Sequence, residues 1–195
     1  MSEPTQSARR VFGERAPFYV TSAAHTDAQV LARVVELAAA QPDWRALDVA
    51  TGAGHTAHHF TDLPRALHEM ARVLGPGGRL VIDDRSVPED AAVDELMNEL
   101  DRLHDPSHVR EYPPSEWGRL LADAGLTVDA LETYTRHRPV GSLTDNAEPE
   151  DAGRIVEALR SLPPDLRRAV DLREVDGELH STHWFVMAAA HRSPA

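Results

Sequence analysis

Two short apolar segments, each next to a glycine-rich turn, most constrain the fold of this 195-residue chain. Residues 44–50 are followed by the turn 51–54, and residues 79–84 follow the turn 75–78. Short apolar runs bounded by turn residues are typical of buried strands. Residues 62–74, between the two runs, repeat apolar side chains at helical spacing. This part of the sequence therefore predicts a strand, a helix and a second strand.

The rest of the chain continues the alternation of helix and strand patterns, and Thr26-Asp27 and Thr61-Asp62 are candidate N-caps. This alternation predicts an α/β fold with a mainly parallel sheet. We expect one domain over residues 1–195, with a helical segment at 1–40 and the core at 41–195. Residues 140–153 read as an acidic, turn-rich loop. The further predicted elements are helices at 27–40, 88–103, 116–124, 154–162 and 165–170, and strands at 126–135 and 178–190.

Composition excludes several classes of protein. The chain has no Cys and no Lys, which excludes thiol nucleophiles, Cys-type zinc sites, Schiff-base enzymes and the P-loop lysine. The net charge is −12, and no basic cluster is present that would bind nucleic acid. No apolar run approaches the roughly 20 residues of a membrane span, and the N-terminus lacks the apolar region of a signal peptide. We expect a cytoplasmic protein, and its alanine- and arginine-rich composition is typical of GC-rich bacteria.

The motifs resemble those of one enzyme family. Residues 47–54 (LDVATGAG) resemble the first motif of class I S-adenosylmethionine-dependent methyltransferases, a strand ending in an acid followed by a glycine turn. Residues 74–82 (LGPGGRLVI) resemble a later helix–turn–strand motif. Residues 58–67 are similar to the segment after the fourth strand in methyltransferases of the ubiquinone/menaquinone-methylating type. The resemblance implies S-adenosylmethionine as cofactor and a small-molecule methyl acceptor.

The spacing of these motifs departs from the family pattern. Three βα units normally separate the first motif from the fourth-strand segment, at roughly 30 residues for each βαβ unit. Here only residues 55–57 lie between them. The resemblance thus implies an internal deletion and a truncated Rossmann-like sheet of about four strands. In that sheet the strand at 46–50 pairs in parallel with 79–84, and the strand at 181–190 lies antiparallel between 79–84 and 126–135.

By resemblance, the retained cofactor-binding residues are Asp48, Gly52, Gly54 and His55. A glycine turn lets the backbone approach a cofactor closely and donate N–H groups to it. The acids that normally bind ribose and adenine have no counterpart here, so we expect weak or lost binding. The alternative is that the two glycines only form a tight turn.

His58 and His59 are the candidate general bases for methyl transfer to a hydroxyl, because a neutral imidazole accepts a proton near pH 7. Three other interpretations stay open for these histidines. They line the mouth of the cofactor or substrate site, they are solvated surface residues, or His55 and His59 bind a metal at helical i, i+4 spacing. The third is the weakest, since the family needs no metal.

Other polar residues have simpler expectations. Asp83 and Asp84 end a strand where α/β folds place ligands, although a helix cap or solvated turn is favoured. His104 and His108 are expected on the surface. His180 and His183 should face opposite sides of a strand, and residues 184–187 should lie in the core.

Two functional hypotheses follow. The first is a small-molecule methyltransferase. The second is a non-catalytic α/β remnant that dimerises or binds a partner. In the second, the strand at 46–50 exposes an edge and the helix at 27–40 exposes apolar area. Two copies then pair at that edge, unless residues 1–40 fold over it.

Overall fold

The computed structural model describes residues 27–47, 57–145 and 147–194. Helices and strands alternate along this part of the chain, with a 3₁₀ turn at Ala57–His59. The helices are α1 (Ala28–Ala38), α2 (Leu63–Val73), α3 (Ala91–His104), α4 (Pro114–Asp123), α5 (Gly141–Thr144), α6 (Pro149–Arg160) and α7 (Pro164–Ala169). The strands are β1 (Arg79–Ser86), β2 (Thr127–Pro139), β3 (Arg173–Val175) and β4 (Glu178–His191).

The sheet has the order β1–β4–β2, and β3 pairs with the beginning of β4. Ala188 of β4 lies opposite Ile82 of β1 on one side and Leu131 of β2 on the other. This confirms the predicted antiparallel position of the last strand between the other two.

The expectation of a mainly parallel sheet is wrong for the described residues, because β4 pairs antiparallel with β1, β2 and β3. The predicted parallel partner of β1 is the strand at 46–50. Residues 48–50 of that strand lie outside the described part of the chain. Residues 44–47 are not in a strand. The antiparallel strand β3 was also not predicted. It joins β4 through Asp176 and Gly177, whose φ values of 52° and 83° are those of a tight hairpin turn.

Caps and prolines set the helix boundaries. Asp27 accepts hydrogen bonds from the backbone N–H groups of Gln29 and Val30, and Asp62 accepts one from Arg65, as their predicted capping roles require. Helix α6 begins at Pro149, inside the stretch predicted as a loop. A proline at the first helical position and acids in the first turn both favour a helix start there.

Helices cover both faces of the sheet. On one face, α2 and α4 pack through Leu67 and Trp117 against Val186 and its neighbours in β4. On the other face, Leu37 of α1 packs against Met187. A third apolar cluster joins α3 and α6 at one end of the molecule. Phe185, Val186 and Met187 are buried and Trp184 packs beside them, which confirms the predicted core.

Candidate functional site

The 3₁₀ turn at 57–59 lies against the end of β1, and His58 and Asp84 form its main contact. Nδ1 of His58 lies 2.6 Å from Oδ1 of Asp84, and the His58 backbone N–H donates to Oδ2 at 2.8 Å. The backbone N–H of Arg85 donates to Oδ1 at 2.8 Å. Asp84 is fully buried. The favoured expectation of a cap or solvated turn is therefore wrong for this residue, because the turn before α2 folds over it.

The loop after α3 covers the same turn. The backbone N–H groups of Val109 and Arg110 both donate to the His58 carbonyl oxygen at 3.0 Å. Oγ of Ser107 lies 3.1 Å from Nδ1 of His59 and also donates to Oδ1 of Asp105 at 2.7 Å. Both predicted bases are thus oriented by a partner on Nδ1, a carboxylate for one and a hydroxyl for the other.

Three imidazole rings meet at this point. The ring centres of His58 and His59 are 4.1 Å apart, and that of His108 lies 5.7 Å from His58. His108 is only 8% exposed and its Nε2 lies 3.0 Å from Oδ1 of Asn98. The expectation of a surface residue is wrong for His108, because the loop folds back on α3. It is also wrong for His104, a partly buried residue whose Nδ1 lies 2.7 Å from the carbonyl oxygen of Leu143.

Burial changes the acid–base character of two of these rings. Burial, with a contribution from the neighbouring His58, lowers the pKa of His59 to about 4. Burial lowers the pKa of His108 to about 3. Both rings are therefore neutral near pH 7 and accept a proton poorly there. His58 differs in having a buried carboxylate beside Nδ1, which orients the ring and favours an N–H at Nδ1.

A buried ionic cluster, which the sequence did not indicate, lies beside the imidazoles. Arg85 places one terminal nitrogen 2.6 Å from Oδ2 of Asp101 and its Nε 2.6 Å from Oε1 of Glu111. Burial alone would raise the pKa of Asp101, but the positive charge of Arg85 holds this pKa below its usual range. Burial, and then the negative charge of Asp101, raise the pKa of Glu111 well above its usual range. Asp101 is thus the charged partner of Arg85.

The predicted cofactor residues and Asp83 differ in what the structure describes. Asp48, Gly52, Gly54 and His55 lie outside the described residues, so their cofactor role stays a prediction. Asp83 accepts a hydrogen bond from the Tyr134 hydroxyl at 2.9 Å, which a solvated turn does not provide.

The two histidines of β4 lie on opposite faces of the strand, as predicted. His183 lies opposite Arg136 and His180 opposite Pro139 in the β2 register. His183 is fully buried, and the His180 ring stacks on that of His137 with centres 5.3 Å apart.

The described residues contain neither a candidate metal site nor a candidate membrane span. No group of three or more metal-binding side chains could hold an ion in the described ranges. Among the same residues, no helix combines the length and the apolar character needed to cross a membrane.

Comparisons with known proteins agree on one class. The sequence model of a methyltransferase domain matches residues 48–131. The chain is 52% identical over 80 residues to YcgJ of Bacillus subtilis, described as an uncharacterized methyltransferase, and 42% identical over 79 residues to YafE of Escherichia coli. These matches cover 41% and 40% of this chain but only 32% and 38% of the relatives. The chain therefore spans about a third of the length of these curated relatives.

Solved structures extend the likeness over more of the chain. A crystal structure of YcgJ is 26% identical with a TM-score of 0.66, and covers 73% of this chain and 62% of that one. A candidate methyltransferase of Bacillus halodurans is 25% identical with a TM-score of 0.67, and covers 71% and 67%. The fold is similar to that of these methyltransferases, and residues 48–131 match a methyltransferase domain. The chain is similar to YcgJ in both sequence and fold.

Proposed function

We propose that this chain is an S-adenosylmethionine-dependent methyltransferase-type protein that acts on a small molecule, with His58 as the general base. The observation that carries the proposal is the contact between His58 and the fully buried Asp84 at the end of β1. In α/β folds, ligands bind beyond the carboxyl ends of the strands. The contact therefore lies where an acceptor hydroxyl would be expected.

The cofactor supplies a methyl group already activated on a sulfonium, so the protein's own task is to position and deprotonate the acceptor. The Nε2 lone pair of His58 accepts the acceptor's proton. Asp84 holds the ring in one orientation and stabilises the imidazolium that forms. His59, whose pKa is lowered to about 4, stays neutral and borders the same position.

The cofactor residues of the proposal are Asp48, Gly52, Gly54 and His55, assigned by resemblance. Loss of the ribose and adenine acids removes several hydrogen bonds, each worth about 1 kcal/mol or more. We expect binding at least about 100-fold weaker than in an intact relative, because 2.8 kcal/mol corresponds to roughly two decades. The short match to the curated relatives supports an internal deletion, which would remove those acids.

Calorimetric titration with S-adenosylmethionine and S-adenosylhomocysteine tests the cofactor site. Gly52→Val should abolish binding, because its side chain would occupy the approach to the turn. Gly75→Val is the matched control, since a Cβ added at Gly75 meets no atom within 4 Å. Equal binding by wild type and Gly52→Val would show that the turn is only structural.

Turnover of labelled S-adenosylmethionine with a panel of small phenols and enols tests the base. His58→Gln should lower the rate by roughly 10²- to 10⁴-fold with cofactor binding unchanged. His68→Gln, at an exposed position in α2, is the control. A rate that survives His58→Gln but not His59→Gln would move the role to His59.

One observation favours the second candidate function, a non-catalytic module that dimerises. Leu31 and Val35 lie one turn apart on α1 and are 51% and 71% exposed, and Leu47 is 71% exposed. Exposed apolar side chains on one helix, such as Leu31 and Val35, are typical of interfaces. Light scattering at micromolar concentration tests this function. A dimer that the double variant Leu31→Glu/Val35→Glu dissociates, in a chain that does not bind S-adenosylhomocysteine, would favour it over catalysis.

A further inference from the structure

One face of the sheet carries three arginines where β1, β4 and β2 run side by side. Arg136 and Arg138 lie two residues apart on β2, and Arg85 lies on β1. Their cross-strand partners in β4 are every second residue of that strand and lie on the same face, because cross-strand partners share a face of the sheet. Arg138 is opposite Ser181, and Arg136 is opposite His183. We call Arg138, Ser181 and His183 the β2–β4 polar cluster.

The positive charges on this face are unevenly compensated. Arg85 has Asp101 and Glu111 as partners, and Arg136 has Asp27 at 3.0 Å. Arg138 is partly buried and forms no hydrogen bond or ion pair with any of the described residues. Burial, with repulsion from Arg85 and Arg136, lowers the pKa of Arg138 to about 10. The charge of Asp101 offsets part of the desolvation cost of this guanidinium, but Asp101 is paired with Arg85 and forms no ion pair with Arg138 in the described part of the chain.

The cluster also holds buried polar atoms without partners in the described structure. His183 is fully buried, and neither of its ring nitrogens has a hydrogen-bond partner there. Oγ of Ser181 is buried and unpartnered as well. Buried polar atoms in native proteins are almost always hydrogen-bonded, and leaving one unpaired costs about 1–3 kcal/mol. Two orphaned side chains next to an unpaired arginine therefore indicate a missing partner.

The chemistry of these groups defines that partner. Arginine provides donors in a planar fork that matches a carboxylate or phosphate. The serine hydroxyl donates one hydrogen bond, and a neutral imidazole donates one more. Burial lowers the pKa of His183 well below its usual range, so the ring is neutral when no anion is present.

We propose that Arg138, Ser181 and His183 form a subsite for an anionic oxygen group, a carboxylate or a phosphate, on a small molecule. The subsite is built from β2 and β4 and shares no residue with the His58–Asp84 contact. We further assign this subsite as the place where the methyl acceptor is anchored, and that assignment rests on the proposed function. Anion binding itself does not depend on the proposed function. An anion here pairs with Arg138 and accepts hydrogen bonds from the two orphaned side chains.

Calorimetric titration with inorganic phosphate and with benzoate, at constant ionic strength and without cofactor, tests the subsite and distinguishes the two sources of the anion. We expect saturable binding of at least one probe, weakened at least tenfold in Arg138→Gln. Arg167→Gln removes the same charge from an exposed position of α7 and should leave binding unchanged. Absence of saturable binding by both probes, or equal loss in the two variants, would overturn the proposal.

A second measurement covers the case in which Arg138 only supports the fold. Arg138→Met keeps much of the side-chain volume and removes the unpaired charge, so the melting temperature without anion should equal or exceed that of wild type. Added probe should raise the wild-type melting temperature and not that of the variant. A lower melting temperature in Arg138→Met without anion would contradict the missing-partner argument. Anion binding in a chain that fails to bind S-adenosylhomocysteine would retain the subsite and reject the methyltransferase proposal.

Discussion

Both oxygens of the Asp84 carboxylate contact His58. Oδ1 lies 2.6 Å from Nδ1 of the ring, and Oδ2 accepts a hydrogen bond from the backbone N–H at 2.8 Å. A single buried side chain therefore fixes both the main chain of the 3₁₀ turn and the orientation of the ring. Because Asp84 belongs to β1, the sheet directly determines where the imidazole lies.

The first prediction concerns this carboxylate. Asp84→Ala leaves two backbone donors and one ring nitrogen without an acceptor, so we expect a loss of about 2–4 kcal/mol in the free energy of unfolding. Asp84→Asn keeps one acceptor oxygen and should lose less. Urea unfolding measures both, and histidine side-chain NMR follows the His58 ring. Asp129→Asn, in a partly exposed ion pair with Arg79, is the control. An Asp84→Ala protein as stable as this control would contradict the structural role of the contact.

The second prediction concerns the pH dependence of stability. The pKa of His59 is lowered to about 4 and that of His108 to about 3, whereas histidines of the unfolded chain have a pKa of about 6.5. Below pH 6.5 the unfolded state binds more protons than the folded state, so stability is fully present above pH 6.5. It is lost as the pH falls toward 4 and then 3. Each histidine contributes a slope of up to about 1.4 kcal/mol per pH unit.

Urea unfolding from pH 7 to pH 4.5 measures this slope. His108→Gln should reduce the slope, since it removes one of the buried histidines whose pKa is lowered, whereas His68→Gln in the exposed part of α2 should not. Identical slopes in wild type and His108→Gln would mean that burial does not lower the pKa of His108.

The third prediction separates the two acids beside Arg85. Asp101 carries the negative charge, so Asp101→Asn leaves a buried guanidinium without its charged partner and should cost about 3–5 kcal/mol. Burial and the charge of Asp101 raise the pKa of Glu111, which disfavours its charged form, so Glu111→Gln should cost less stability than Asp101→Asn. Thermal and urea unfolding compare the two variants. The reverse order of stabilities would assign the charge to Glu111.

Helix caps and apolar periodicity predicted most elements to within a few residues. Asp27 and Asp62 provided the clearest signals, because a capping side chain determines locally where a helix begins. The start of α6 at Pro149 was missed because its acidic first turn resembles a loop in composition. The direction of strand pairing depends on contacts between distant residues. Only the family resemblance placed β4 between β1 and β2.

The candidate site was predicted in part. His58 and His59 were identified by type and position, but the pairing of His58 with Asp84 joins residues 26 positions apart. No periodicity indicates such a contact. The burial of His108 depends on its loop folding onto Asn98 of α3. The lack of an ion pair at Arg138 among the described residues depends on Asp101 pairing with Arg85 and Asp27 with Arg136, and these contacts join residues far apart in the sequence.

The last prediction concerns the glycine-rich turn before β1. A Cβ added at Gly78 would lie 2.9 Å from the carbonyl oxygen of Gly75 and 3.2 Å from its nitrogen, and both are backbone atoms that cannot move aside without opening the turn. The Gly78 N–H also donates to that carbonyl oxygen at 2.8 Å. Gly78→Ala should therefore lower the free energy of unfolding by about 1–3 kcal/mol. Gly153→Ala, at an exposed position inside α6 where an added Cβ meets nothing within 4 Å, should raise it by about 0.5–1 kcal/mol. Urea unfolding of both variants provides the comparison, and a Gly78→Ala protein at least as stable as wild type would show that the turn tolerates a side chain at this position.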